Sequence, residues 1–235
     1  EKWLGESFEK MISLGSNEIP TFFPETSFGL RETIKDNWFS GFIRVHGEEF
    51  YNSVKYDNQI YDKRKLVPFG EFIPLHKTLD KIGLKKLMPI ESFSSGIRNS
   101  SFNDFVVPLI CYEGIFPNIV KDNILPTSGV LVNITNDAWF GKGAGPKQHF
   151  THVRFRSVEN GLPLIRSANM GISALINPVG EIEKIIPNGE MSYIDIKIPK
   201  KISHTFYTQY GDNIAYFFIV LFFLIGYSTS KLTKD

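Results

Sequence analysis

The stretch FVVPLICYE, residues 105–113, is an apolar run of strand-forming residues that ends at Cys111, the only cysteine in the chain. Glu113, Gly114 and Pro117 follow at once, and this pattern predicts a turn and then the start of a helix. A buried strand that ends in such a turn holds a nucleophile rigidly, with free backbone amides beside it. The alternative is a thiol that only fills the core, where free cysteine is common.

The composition is that of one folded domain of ordinary size. Of the 235 residues, 42% are hydrophobic and 22% are charged, which is enough apolar material for a sizeable core. The net charge of +1 gives no indication of nucleic-acid binding. A single cysteine excludes an internal disulfide and a multi-cysteine zinc site. His149 and His152 stand three residues apart but lack a third ligand, so we predict neither a metal nor a cofactor.

The last apolar segment predicts a transmembrane helix. Residues 214–227 read IAYFFIVLFFLIGY without a charge, and 228–230 extend the run to the lower limit of a bilayer span. A buried core helix is the alternative at this length. Lys231 and Lys234 follow the run, and the positive-inside rule then places the C-terminus in the cytoplasm. Residues before about 210 would lie on the other side of the membrane.

The rest of the chain mixes predicted strands and helices, which indicates an α/β domain with sheets packed face to face. Helices are predicted over 1–16, 117–126 and 147–160. Strands are predicted over 21–23, 38–45, 49–56, 59–61, 105–110, 129–135, 164–168, 172–176, 182–186 and 191–198. The basic and apolar stretch at 76–88 is either a lid on a membrane surface or an ordinary amphipathic cover.

Three residues with complementary chemistry stand at predicted strand ends: Glu25, Lys63 and Cys111. Acyl transfer through a thioester requires such a set, because a carboxylate takes the thiol proton and an ammonium stabilises the oxyanion. The loop LVPFGE at 66–71 adds Glu71, whose carboxylate is suited to hold the lysine. The alternatives are ordinary: Glu25 as a helix cap, and the basic cluster around Lys63 as a solvated face.

The motifs around these residues resemble the nitrilase superfamily of carbon–nitrogen hydrolases and, within it, the apolipoprotein N-acyltransferase family. The motifs that carry the resemblance are FPET (23–26), YDK (61–63), LVPFGE (66–71), CYE (111–113), NDAWFG (136–141), GPKQH (145–149), RFRSVENGLPLIRSAN (154–169), GIS (171–173) and TQYGD (208–212). The resemblance implies an α/β fold, a nitrilase-like four-layer α-β-β-α sandwich, over 1–208. A transmembrane helix at 213–230 and a cytoplasmic tail at 231–235 would follow it.

The resemblance also implies roles for the site residues. Glu25 would be the general base, Lys63 the oxyanion cation and Cys111 the nucleophile. Glu71, Tyr112 and Glu113 carry over as supporting residues, with the Tyr112 backbone amide as a second oxyanion donor.

The implied reaction moves an acyl chain between lipids and uses no cofactor. Cys111 would take the chain from a phospholipid, typically phosphatidylethanolamine, as a thioester. It would then pass it to the N-terminal diacylglyceryl-cysteine of a lipoprotein. The implied location is the bacterial inner membrane, with a periplasmic catalytic domain and a cytoplasmic C-terminus.

Two other interpretations stay open at this point. One is an amidase of the same superfamily that uses water as the acceptor, and the other is a truncated, inactive remnant that at most binds lipid or a partner. The terminal apolar segment and the NDAWFG turn favour the acyltransferase. Members of the family carry several membrane spans before this domain, so we expect this chain to be a fragment or one product of a split reading frame.

Overall fold

The computed structural model describes residues 21–22, 38–56, 59–74, 92–97, 104–141, 143–202 and 205–232. Three predicted features lie outside these residues: the helix at 1–16, the base Glu25 and the amphipathic stretch at 76–88.

The first sheet has four strands in chain order. They are Thr21–Phe22 (β1), Trp38–His46 (β2), Glu49–Tyr56 (β3) and Gln59–Asp62 (β4). β1 pairs with β2 in parallel, whereas the β2–β3 and β3–β4 pairs are antiparallel. The predicted hairpin is present, and Gly47 adopts the positive φ of 63° that its tight turn requires.

In the described part of the chain the second sheet has five strands, and it brings Cys111 to the edge where its strands run into loops. Its strands are Val106–Ile110 (β5), Val130–Asn136 (β6), Leu164–Asn169 (β7), Ser173–Ile176 (β8) and Ile182–Ile186 (β9), in that order. β5, β6 and β7 are parallel, and β8 and β9 continue the sheet antiparallel. The carboxyl ends of three neighbouring parallel strands therefore meet at one edge, where ligands bind in sheets of this kind.

The described helices are Pro117–Asn123 (α1), Gly145–Asn160 (α2), Phe206–Tyr210 (α3) and Asn213–Leu232 (α4), with 3₁₀ turns at Cys111–Ile115 and Asp137–Phe140. α1 begins at Pro117 as predicted, but it ends three residues early. Pro126 explains the difference, because the residue before a proline is disfavoured in the helical region. α2 ends at Gly161, which has the left-handed conformation of a helix C-cap (φ 63°).

The core lies in two layers on either side of the second sheet. The two sheets face each other through buried apolar residues, which include Phe39, Val54, Tyr61, Ile110, Val132, Ile134 and Ile165. The opposite face of the second sheet packs against α1 and α2 through Leu109, Val120, Leu131, Phe150, Val153 and Leu164. Among the described residues this gives one helical layer and two sheets, three of the four predicted layers.

The predicted strand at 191–198 is wrong, because no strand is present there in the structure. Ile194, Ile196 and Ile198 are half-buried and alternate with exposed neighbours, and the last two pack against the core between the sheets. The alternation of apolar and polar residues in this segment therefore reflects which of its side chains face the core. A strand also needs the backbone of a partner at ladder distance, and the pattern of one segment does not report that.

The terminal apolar run is helical in the structure, as α4. Its large apolar side chains are exposed rather than packed on the domain, among them Tyr216, Phe217, Phe218, Ile219, Val220, Phe222, Phe223, Leu224, Ile225 and Tyr227. Within the described part of the chain, none of the helices combines the length and the apolar content that a membrane crossing requires. The predicted transmembrane helix is therefore not confirmed.

Candidate active site

Cys111 occupies a strained position directly after β5. It is the first residue of a 3₁₀ turn, and its φ of 50° lies in the left-handed region. For a residue other than glycine, such a conformation costs on the order of 1–3 kcal/mol and persists only where the surroundings hold it. Cys111 is half-buried and packs against the core between the sheets. The turn therefore mounts the thiol rigidly at the sheet edge.

Glu113 ties this turn to the segment after β4. Its carboxylate is fully buried and accepts hydrogen bonds from the backbone amides of Ile110 (2.9 Å), Arg64 (2.6 Å) and Lys65 (3.2 Å). The Tyr61 hydroxyl donates to the same carboxylate at 3.1 Å. One side chain thus fixes the end of β5, just before Cys111, against the segment that carries Lys63.

The electrostatics of this contact follow from its burial. Burial raises the pKa of Glu113, although the hydrogen bonds from the backbone and the charge of Lys63 act in the opposite direction. Burial also raises the pKa of Tyr61, and the nearby Glu113 carboxylate adds to this effect. Tyr61 is therefore a neutral hydrogen-bond donor to Glu113.

Lys63 is a fully buried ammonium with a dedicated partner. Its Nζ lies 2.6 Å from Glu71 Oε1, and its backbone amide donates to the Asn52 carbonyl at 2.7 Å. Glu71 is held in turn by the Val67 amide (2.7 Å) and by the Asn52 side chain (3.2 Å). Burying an ammonium is costly unless it is paired and hydrogen-bonded, and Glu71 of the LVPFGE loop provides a carboxylate partner for Lys63.

The segment around Lys63 is packed too tightly for any residue but glycine at position 96. The Gly96 amide donates to the Lys63 carbonyl at 2.8 Å, and a Cβ at this position would lie 2.2 Å from the Asp62 carbonyl oxygen. Arg44 forms a two-pronged ion pair with Asp62, at 2.6 and 3.0 Å. These contacts fix the end of β4 just before Lys63.

A second cluster of buried polar side chains contacts the backbone at Cys111 from the neighbouring strand β6. Asn133, in the middle of β6, donates from Nδ2 to the carbonyls of Leu109 (3.0 Å) and Cys111 (3.2 Å). Arg166, on β7, donates to Asn133 Oδ1, and its guanidinium also pairs with Asp137 at 2.7 Å. The Asn133, Arg166 and Asp137 side chains are all buried.

Asp137 forms the other hydrogen bonds of this buried polar cluster. Its carboxylate accepts from the Thr135 hydroxyl at 3.0 Å and lies 2.9 Å from His149 Nδ1. Burial works to raise the pKa of Asp137, but the His149 hydrogen bond and the Arg166 charge outweigh it and hold the pKa low. Burial lowers the pKa of His149. A neutral His149 that donates from Nδ1 to a charged Asp137 agrees with both the lowered pKa of Asp137 and the lowered pKa of His149.

Comparison with known proteins agrees with this geometry. The sequence profile of the family described as carbon–nitrogen hydrolase matches residues 43–203, more than half of the chain. The chain belongs to the carbon–nitrogen hydrolase family.

Curated relatives of this carbon–nitrogen hydrolase include apolipoprotein N-acyltransferases. The chain is 39% identical over 212 residues to the apolipoprotein N-acyltransferase of Rickettsia typhi, covering 82% of this chain and 41% of the relative. It is 40% identical over 172 residues to the apolipoprotein N-acyltransferase of Rhodopseudomonas palustris, covering 71% of this chain and 32% of the relative. The chain thus spans less than half the length of these curated relatives.

Solved structures share the fold at low identity. A CN-hydrolase superfamily protein of Xanthomonas campestris superposes with a TM-score of 0.54 at 16% identity, covering 79% of this chain and 80% of that chain. The glutamine-dependent NAD+ synthetase of Acinetobacter baumannii gives a TM-score of 0.57 at 16% identity, covering 81% of this chain and 40% of that chain. These likenesses show the fold alone.

In this carbon–nitrogen hydrolase, five of the six predicted site residues fall in the described part of the chain. They are Lys63, Glu71, Cys111, Tyr112 and Glu113. Glu113 joins the lysine segment to the cysteine turn, and Glu71 contacts Lys63 as the sequence predicted. The Tyr112 ring packs between Phe116 and His149, with centroid distances of 5.8 and 5.9 Å. The predicted base, Glu25, lies outside the described residues.

Sequence reasoning missed the roles of Asn133 and Arg166, although a signal was present. Each is the first polar residue of its strand and follows a run of apolar residues, in VLVNITN and in LIRSAN. A polar residue at a buried strand position needs a partner, and the two satisfy each other across neighbouring strands. His149 was weighed as a metal ligand, but in the structure it is buried against Asp137, whereas His152 is exposed. Among the described residues no group of three or more suitable side chains gathers around a metal position.

Proposed function

We propose that this carbon–nitrogen hydrolase is the catalytic part of an apolipoprotein N-acyltransferase, in which Cys111 carries the acyl chain as a thioester. The observation that supports this most strongly is the position of Cys111. It stands on a left-handed turn at the end of a buried strand, and Glu113 ties it to the segment of a buried, paired lysine. A rigidly mounted thiol near a fixed ammonium suits acyl transfer.

In the proposed first half-reaction, Glu25 accepts the thiol proton of Cys111 and the thiolate attacks an ester carbonyl of a phospholipid, typically phosphatidylethanolamine. The carbonyl oxygen becomes an oxyanion, which the Lys63 ammonium and the Tyr112 backbone amide stabilise. The ester C–O bond then breaks, and the departing lysophospholipid oxygen takes the proton from Glu25. The acyl chain remains on Cys111 as a thioester.

In the proposed second half-reaction, the α-amino group of a diacylglyceryl-cysteine at a lipoprotein N-terminus attacks the thioester. The same two donors stabilise the second oxyanion, and Glu25 accepts a proton from the amine. Collapse breaks the C–S bond and forms an amide, and the proton returns to the Cys111 thiolate. The reaction needs no metal and no cofactor.

Glu71 and Glu113 have supporting roles in this proposal. Glu71 keeps Lys63 in its charged form, since the buried ion pair at 2.6 Å offsets the cost of removing an ammonium from water. Glu113 fixes the relative position of the lysine segment and the cysteine turn. Neither carboxylate has to exchange a proton with substrate.

We also propose a membrane location for the enzyme, because both substrates are lipids. The exposed apolar side chains of α4 are suited to lipid, and membrane insertion of 213–230 would place the catalytic domain beside its acyl donor. Around the site, three large apolar side chains are exposed on loops: Phe69, Trp139 and Met170. The proposed arrangement has a periplasmic domain, a cytoplasmic C-terminus and the bacterial inner membrane between them.

Acyl transfer to a lipopeptide tests this function. The native protein that contains this chain is mixed in detergent with phosphatidylethanolamine and a synthetic diacylglyceryl lipopeptide with a free N-terminus. The proposal expects an N-acylated lipopeptide by mass spectrometry, with none in the Cys111→Ala variant and none from a lipopeptide whose amine is blocked. Release of free fatty acid without acylated lipopeptide would contradict it and favour the amidase interpretation.

A further inference from the structure

The backbone around Cys111 is held from behind by a side-chain amide. Asn133 Nδ2 bridges two carbonyls of one segment, Leu109 and Cys111, at 3.0 and 3.2 Å. Leu109 and Asn133 stand opposite each other in the β5–β6 register. The amide therefore meets the nucleophile strand at the point where it leaves the sheet and turns into the left-handed conformation of Cys111.

The orientation of this amide is fixed by Arg166. A guanidinium has only donors, so the Asn133 atom that faces Arg166 has to be the oxygen. The NH₂ group of Asn133 is then left facing the Cys111 carbonyl. Without the guanidinium, Asn133 Oδ1 loses this donor, and the amide is held through its contacts with the Leu109 and Cys111 carbonyls.

Arg166 is itself fixed on its other sides. Its Nη2 pairs with Asp137 at 2.7 Å, and its Nε donates to the Ile172 carbonyl at 3.2 Å. Asp137 is bound in turn by Thr135 and His149. These contacts thus connect His149 on α2 and Arg166 on β7, through Asn133 on β6, to the backbone of Cys111. The His149, Arg166 and Asn133 side chains are all buried.

We propose that Asn133 and Arg166 are positioning residues of the reaction, which hold the Cys111 backbone in its strained turn and so set where the thiol and the Tyr112 amide point. The proposal rests on the proposed function only in taking Cys111 as the nucleophile. It assigns these two residues to the geometry of the reacting atom, and not to substrate binding.

The direct test removes the bridging amide in Asn133→Ala and compares it with a matched buried control, Ser157→Ala. The buried Ser157 hydroxyl lies 2.6 and 2.7 Å from the carbonyls of Leu162 and Asn177, so it also contacts two carbonyls, but at the C-terminal end of α2 and not at the Cys111 turn. Both variants lose polar contacts with backbone carbonyls. Only the first loses them at the nucleophile.

The kinetic measurement is single-turnover thioester formation with phosphatidylethanolamine in the native protein, at a temperature where each variant is folded. Here kcat is the rate constant at saturating lipid, and KM is the lipid concentration that gives half of it. For Asn133→Ala we expect kcat to fall by roughly tenfold to a hundredfold, because misplacing a reacting atom by about 1 Å has effects of this size. KM should stay within about twofold, since no substrate contact is removed. Ser157→Ala should keep the kcat of the unchanged protein.

A second measurement does not depend on the acyl donor. Iodoacetamide alkylates the Cys111 thiolate directly, and we expect its rate at neutral pH to fall at least about threefold in Asn133→Ala and to be unchanged in Ser157→Ala. If the unchanged protein forms no thioester at all, the proposed function fails. The alkylation rates still decide whether Asn133 positions the thiol.

A double variant, Arg166→Met with Asp137→Asn, tests the part played by the guanidinium. It removes both members of the buried ion pair together, so no uncompensated charge is left, and it keeps Asn133 in place. We expect kcat to fall in the same direction as in Asn133→Ala, because the amide is then held from one side only. This variant decides the question if Asn133→Ala does not fold.

Three outcomes would overturn the inference. One is thioester formation and alkylation in Asn133→Ala at the rates of Ser157→Ala. Another is an unchanged kcat in the double variant. The third is failure of both the Asn133 and the double variant to fold while Ser157→Ala folds, which would assign the group to fold stability and not to the position of the thiol.

Discussion

At the scale of single residues, Lys63 is the side chain whose burial is hardest to explain without chemistry. Its ammonium is 0% exposed, and the carboxylate of Glu71 lies 2.6 Å from it. Replacing a buried ion pair by well-packed apolar residues is often neutral or stabilising, so stability alone is a weak reason to keep it. The proposed stabilisation of an oxyanion beside Cys111 would be a sufficient reason, since it requires a fixed cation in a dry place.

Lys63→Ala is expected to lower thioester formation by on the order of a hundredfold or more, the effect of removing one oxyanion donor. The measurement is the single-turnover rate of Cys111 acylation, with Lys55→Ala as the control because Lys55 is an exposed lysine of β3. A Lys63→Ala protein that is folded and acylates at the rate of the Lys55→Ala protein would refute the proposed role.

The buried contacts of Glu113 lead to a prediction about the stability of the folded protein. Glu113→Gln keeps the shape of the side chain but turns one acceptor oxygen into a donor, which then faces backbone amides of the buried cluster. We expect the free energy of unfolding to fall by about 1–3 kcal/mol, the cost of buried groups that lose their partner. Chemical denaturation measures this, with Glu183→Gln on the exposed face of β9 as the control. Equal stability of the two variants would contradict the buried contact.

At the scale of elements, the predictions succeeded where local pattern and tertiary structure depend on the same physics. The strand ending at Cys111, the start of α1 at Pro117 and the hairpin at Gly47 all follow from short-range preferences of apolar runs, proline and glycine. The predicted strand at 191–198 failed because alternation reports burial, whereas a ladder needs a partner strand. The partners of Asn133 and Arg166 lie on different strands, so only the register of the sheet reveals them.

Glu159, near the C-terminal end of α2, leads to a prediction about how stability depends on pH. Burial raises the pKa of Glu159 from its ordinary 4.5 to about 6, against the opposing charge of Arg156 at 2.8 Å. Because the pKa is raised in the folded state, the stabilising contribution of Glu159 is full below about pH 4.5 and is lost as the pH rises through about 6.

Glu159→Gln should therefore remove part of the decline in Tm between pH 4.5 and pH 6.5. Thermal unfolding at both pH values measures it, and Glu183→Gln, on the exposed side of β9, should leave the decline unchanged. The same decline in the Glu159→Gln protein as in the unchanged protein would show that Glu159 does not titrate in this range.

At the scale of the whole molecule, the domain and α4 differ in where their apolar surface lies. The domain buries its apolar residues between two sheets and beneath α1 and α2, whereas α4 leaves its phenylalanines exposed. A surface of this kind is a binding surface for lipid or protein. We assign it to lipid, because the proposed acyl donor is a phospholipid.

Removing α4 tests this assignment. The chain that ends at Gly211 should lose its association with phospholipid vesicles, while the full chain sediments with them. The domain should keep its Tm, since most of the large apolar side chains of α4 are exposed. Circular dichroism during heating measures this Tm, and an unchanged value is the control that the shortened chain is folded. Equal sedimentation of the two chains would show that membrane contact does not depend on α4.

Acylation of Cys111 is tested most directly by intact-mass spectrometry of the native protein that contains this chain, after incubation with phosphatidylethanolamine in detergent. We expect an added acyl mass that hydroxylamine removes, located on the peptide of Cys111 and absent from Cys111→Ser, because a serine hydroxyl is far less acidic than a thiol. A folded protein that remains unacylated, or an adduct that persists in Cys111→Ser, would show that Cys111 does not carry the acyl chain.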